Sequence, residues 1–186
     1  MPSFRIVLLG LFIPALLSCG SVNYTPEGED SALMLHGYDP VAYYAAGTPV
    51  TGRADLKADY RGYYYRFTRE ENRRQFITAP EQYVPQFGGF CAQSMAYGIP
   101  VAADGRTFKI IDGKLYLFDG PRAKLYFEMD QERNLRAASH YWETEVRDSA
   151  SWRYQALKRL VFRVPGYRSN AELAEEYQRR FGRAPG

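Results

Sequence analysis

Apolar and polar positions change rhythm several times along this chain. Residues 6–17 form an almost unbroken apolar run, and residues 20–30 are polar and without periodicity. Patterning begins near Ala32. Leu33 and Leu35 alternate with Met34 and His36 until Gly37-Tyr38-Asp39-Pro40 turns the chain. Residues 58–60 and 63–67 read as two strands around Arg61-Gly62. Thr68, with Glu71 three residues on, reads as a capping box that opens a helix ending at Ala79-Pro80. Residues 107–111 and 114–118 flank Asp112-Gly113, the strongest hairpin signal in the chain. Asp119-Gly120-Pro121 then leads into a helix through Phe127. Over 131–146, Leu135, Ala138, Trp142 and Val146 recur at helical spacing, which puts His140 about 140° away on a solvent face. In the tail, Trp152, Ala156, Leu157, Leu160, Val161 and Val164 make a helical stripe flanked by Arg153, Lys158, Arg159 and Arg163. Pro165-Gly166 breaks it, and Ser169 with Glu172 opens a last helix that stops at Gly182. The expected fold class is α+β, a small antiparallel sheet of hairpins with packed helices plus a C-terminal helical extension.

Composition and the leader locate the protein. The apolar run at 6–17 is too short to span about 30 Å of hydrocarbon and fits a signal peptide with Arg5 as its n-region. Leu16-Leu17-Ser18-Cys19 resembles the lipobox of bacterial lipoproteins. That resemblance implies cleavage before Cys19, diacylglycerol on its thiol and acylation, for instance by palmitate, of its amine. Two or three acyl chains anchor stably. Gly20, where an aspartate retains some lipoproteins at the inner membrane, points to the outer membrane facing the periplasm. Residues 20–30 would form a tether reaching roughly 18 Å. The expected organisation is thus 1–18 signal peptide, 19–31 lipidated Cys and tether, 32–146 folded domain, and 147–186 helical extension. The net charge of +3, which loses only Arg5 with the leader, argues against nucleic acid as a partner. Sixteen tyrosines give an aromatic surface whose tips stay wet. Tyr38, Tyr43 and Tyr44 either pack around the Asp39-Pro40 turn or line a ligand cleft.

Residues 35–142 resemble the YHS domain in its secreted and lipoprotein form. The stretches that carry the resemblance are HGYDPVAYYAAG, YYYRFTREENRRQFITAPEQYVPQFGGFCA and IIDGKLYLF, in that order and spacing. The resemblance implies antiparallel strands with helices on one side, and a role in handling transition metals. The metal-associated members carry three cysteines at positions that here hold Ala42, Thr68 and Asn72. None of these supplies a soft thiolate, so the family's usual site does not carry over.

Candidate chemistry therefore falls on Cys91, which has no partner once Cys19 is lipidated. Cys91 and Met95 are spaced i and i+4, a thiolate and a thioether on one helical face, suited to Cu(I). His36 would add an imidazole. The simpler reading of the same residues is core packing, and a third makes Cys91 a reactive thiol needing His36 or His140 as base. The candidate cofactors are Cu(I) and Zn(II), neither fixed by the sequence. No phosphate loop, nucleophile elbow or His-rich zinc motif occurs. The expected function is a non-catalytic, lipid-anchored binding protein of the cell envelope, for a metal such as copper. The alternatives are a structural or protein-interaction module of the envelope and a thiol-dependent enzyme. Its partners would be the membrane, through Cys19, and an envelope protein.

Overall fold

The computed structural model describes residues 30, 32–149 and 152–185, so Cys19, its leader and its tether lie outside the described residues. The fold is α+β, with two separate antiparallel two-stranded sheets among the helices. The chain first makes a left-handed turn at Leu35–Gly37 and a one-turn helix α1 (Ala42–Ala45). Strands β1 (Arg53–Tyr60) and β2 (Tyr63–Phe67) form the first hairpin. Arg61 and Gly62 both have positive φ, the conformation that a two-residue hairpin turn with native twist demands. Helices α2 (Glu70–Thr78) and α3 (Pro80–Tyr83) follow, then a left-handed turn at Phe87, Gly88 and Gly89, then the single turn α4 (Ala92–Met95). The second hairpin is β3 (Phe108–Ile111) and β4 (Lys114–Leu117), closed by Asp112-Gly113, also at positive φ. Helices α5 (Gly120–Met129) and α6 (Gln131–Tyr141) lead into a π-helical turn at Trp142–Val146, and the tail supplies α7 (Trp152–Val161) and α8 (Asn170–Phe181).

The core lies between the first hairpin, α2, α4, α6 and β4. Phe67, Phe76, Phe90, Met95, Leu115, Phe118 and Phe127 are all sealed from solvent there. Residues 85–91 run beside β4, paired at Pro85–Leu115 and Cys91–Leu117. A second, smaller cluster of Tyr126, Leu173 and Tyr177 fastens α8 onto α5.

Two expectations need correction. Leu33, Met34 and Leu35 do not alternate between core and solvent, for all three are buried. The segment pairs with β2 through Met34 and Tyr64 and turns left-handed at once, so both of its faces meet protein. Thr68 does not cap α2 either. Arg69 is the residue before the helix, and it makes no side-chain cap bond. The Thr68 hydroxyl instead donates 2.7 Å to Asp39 Oδ2, a stronger acceptor than any backbone group. By contrast, the capping box of Ser169 and Glu172 forms, with Gly182 left-handed after the last turn.

Candidate functional site

Asp39 organises the first half of the molecule. Its carboxylate is fully buried. Oδ1 accepts from the amides of Val41 and Ala42 at 2.9 and 3.3 Å. Oδ2 accepts from the Thr68 amide at 2.8 Å, the Thr68 hydroxyl at 2.7 Å and Asn72 Nδ2 at 2.6 Å. Ala42, Thr68 and Asn72 are the three positions at which the resemblance places cysteines, and here they meet around one carboxylate. A buried polar side chain is tolerated only when its oxygens find donors, and these two do. The knot ties α1 to the start of α2.

The residues expected to hold a metal are placed as follows. Cys91 precedes α4, Met95 ends it, and both are sealed from solvent. The Met95 amide donates to the Cys91 carbonyl at 2.9 Å, as the spacing requires. Burial pushes the Cys91 thiol up, outweighing the amides of Ser94 and Asp119, the Ser94 hydroxyl and the Gln93 amide, which favour the thiolate. His36 is half-buried in the left-handed turn, where its Nε2 sits 3.0 Å from the carbonyl of Ala103. Among the described residues no group of three or more His, Cys, Asp or Glu side chains could hold an ion. An ion here would rest on two sulfurs within a closed core, so the donor set does not make a built site. His140 is exposed on α6, on the face the periodicity indicated.

A different set of residues opens to solvent. A cleft of about 280 Å³ lies at the turn end of the first hairpin. Tyr60, Arg61, Tyr63 and Tyr65 line it from that hairpin, Glu81 from α3, Phe87 and Gly88 from the second left-handed turn, and Trp142 and Arg147 from the π-helical turn. Phe87 is held at φ 55°, a conformation that costs a non-glycine residue about 1–2 kcal/mol. This strain sits in the cleft wall. The ring of Phe87 stands 5.6 Å from Tyr116 and 6.2 Å from Trp142, so it bridges the core and the cleft. The wider π turn, closed by the Arg147 amide bonding to the Trp142 carbonyl at 2.9 Å, presents Trp142 and Arg147 to the same opening. Such turns are frequent at functional positions.

The charged groups of the cleft are already paired. Glu81 accepts from the Tyr60 hydroxyl and, at 2.5 Å, from Arg61, whose guanidinium also lies over the Tyr60 ring. Burial, then the bond to Glu81, raises the Tyr60 phenol, so it stays a donor. Arg147 is paired with Glu143 and Asp148. Of the two readings of the tyrosines around Asp39-Pro40, packing fits Tyr43 and Tyr44 rather than a cleft: Tyr43 is buried with its hydroxyl on the Gly105 carbonyl, and Tyr44 bonds the carbonyl of Gln82. Residues 60–65 were legible only as a hairpin. Nothing in the pattern joins them to Phe87 or Trp142, which arrive from later elements. The one local signal was Gly88-Gly89 after Phe87, a pair that permits a left-handed turn.

Compared with known proteins, the chain matches no family model, no curated protein and no solved structure. Among the described residues no helix is long and apolar enough to cross a membrane.

Proposed function

We propose that this chain is a non-catalytic binding protein of the bacterial cell envelope, anchored by lipid on Cys19, that takes a small organic ligand into the aromatic cleft. The observation that carries this reading is the convergence of Tyr60, Tyr63, Phe87 and Trp142 from separate elements on one opening, with Arg61 and Glu81 at its side. Rings with a few polar groups are what ligand pockets are made of, and this one, at about 280 Å³, lies just below their usual size range. Its chemistry suits a planar molecule stacked on the rings, whose polar edge exchanges into the Arg61–Glu81 pair at the side of the opening.

The test is a titration with indole-3-carboxylate and 4-hydroxybenzoate, followed by amide chemical shifts. Saturable shifts confined to Gly88, Trp142 and the Arg61 turn, lost in Trp142→Ala, support the cleft. Shifts that never saturate, or that spread over the whole surface, sink it. Copper or zinc handling is the lesser reading, resting on the sealed pair Cys91 and Met95. Anaerobic Cu(I) competition against a strong chelator, with Cys91→Ala as control, decides it: no copper retained in the wild type removes it. A thiol enzyme fits poorly, because a thiol raised by burial is a weak nucleophile at neutral pH.

A further inference from the structure

Helix α7 is built inside out. Tyr154, Leu157, Leu160 and Val161 are 63, 62, 74 and 67% exposed, and Phe162 just after the helix is 68% exposed. At about 100° per residue the four helical side chains cover an arc of about 120°. The opposite face is polar, and it is the face that docks. Gln155 and Arg159 are buried. Gln155 Nε2 donates 2.9 Å to the Glu145 carbonyl. Lys158 lies 3.0 Å from the Glu145 carboxylate, and Arg159 bonds the same carboxylate while its guanidinium sits 5.1 Å from the Tyr141 ring. A helix serving only a soluble core would turn the other way.

We infer that this face of α7 lies in the headgroup region of an anionic lipid bilayer. The charge around it selects that occupant. Of the five cations in residues 149–171, Lys158 and Arg159 share Glu145 and Arg168 meets Asp130, which leaves Arg163 exposed at the margin of the face and Arg153 as a further cation of the same sequence stretch. Arg163 is exposed beside the patch, stacked 4.8 Å over Tyr167. Leucine, valine and aromatic side chains on one face with Lys and Arg at its margin are the composition of helices that lie in a membrane interface. A second copy of the chain is the competing occupant, and its concentration dependence distinguishes it from lipid in the experiment below. The inference does not rest on Cys19: α7 would seek a bilayer with or without a lipid anchor.

The experiment uses the full chain in phosphatidylcholine vesicles, with and without phosphatidylglycerol. A fluorophore is placed at Leu160→Cys or, as control, at Gln178→Cys on the exposed side of α8. Cys91 is sealed in the core, and Cys19 is blocked by lipid in an anchored chain or replaced by Ser in an unanchored one, so the fluorophore goes to the introduced cysteine. The expected result is that iodide quenching at 160 falls several-fold in phosphatidylglycerol vesicles while 178 stays accessible. Leu157→Ser with Val161→Ser, two exposed positions whose substitution should leave the melting temperature nearly unchanged, should restore quenching at 160. Vesicle flotation reports any lipid anchor separately, so a floating chain with an accessible residue 160 overturns the α7 inference alone. Shielding at 160 that appears without vesicles and grows with protein concentration overturns it in favour of a second copy.

Discussion

The two helices of the tail are attached to the body in opposite ways. Helix α8 buries Leu173 and Tyr177 against Tyr126, Leu125 and Met129 of α5, and its charged residues face outward. Arg180 adds bonds to Asp130 at 3.1 Å and to the Met129 carbonyl at 3.2 Å. Helix α7 buries Gln155 and Arg159 around one carboxylate, Glu145, and leaves its apolar side to solvent. Both helices are amphipathic, so amphipathicity alone does not say which face meets the protein. A hydrophobic contact is non-directional and strengthens with area, whereas a polar latch depends on geometry and on charge state. Helix α8 therefore belongs to the folded unit, and α7 is conditionally held.

The largest test of this contrast is Leu173→Ala. Removing a side chain that is 2% exposed should cost about 3 kcal/mol and loosen α8, read by denaturant unfolding. Equal stability of mutant and wild type would mean that α8 is not held by its apolar face. Glu145→Ala should cost less, about 2 kcal/mol, and act locally, because it leaves the buried Arg159 without its carboxylate. Limited proteolysis at Lys158 and Arg159 should speed up in that variant while cleavage within α8 does not.

Acidification should mimic that variant in part. Burial would raise Glu145, but bonds from Lys158 and Arg159 outweigh it and hold the carboxyl below its ordinary 4.5. A depressed carboxylate contributes its stability above that ordinary value and loses it as pH falls through the folded one. Hydrogen exchange in α7 should therefore accelerate below pH 4.5. Asp130 and Glu176, lowered chiefly by their side-chain bonds to Arg180 and Arg179 respectively, weaken at α8 in the same range, but the Leu173 and Tyr177 contacts persist. If both helices loosen together, α8 depends on charge more than its packing suggests. The smallest effect belongs to Leu160→Ser, at 74% exposure, which should change stability by no more than about 0.5 kcal/mol. A larger loss would mean that the apolar face of α7 is covered by protein.

Much of the local structure could be read before the fold was known. The two hairpins, the end of α2 before Pro80, and the last helix with its Ser169–Glu172 box and Gly182 stop all depend on residues within a few positions of one another. The single helical turn from Cys91 to Met95 was legible for the same reason. Failures came where a distant group outbid a near one. Thr68 was taken from its cap by Asp39, 29 residues away. The tail stripe of Leu157, Leu160 and Val161 was visible as a stripe, but its outward direction depends on Glu145 lying beneath the other side. The cleft was invisible because its walls come from four separate elements.

Chain chemistry by itself determined where helices and hairpins start and stop, since backbone hydrogen bonds, glycine φ angles and capping groups act over three or four residues. Only the tertiary structure decided which faces meet, that Cys91 is sealed, that Asp39 gathers Ala42, Thr68 and Asn72, and that Tyr60, Phe87 and Trp142 share an opening. Those outcomes follow from competition among groups far apart in sequence for the same buried space and the same acceptor, and that competition exists only once the chain has closed on itself.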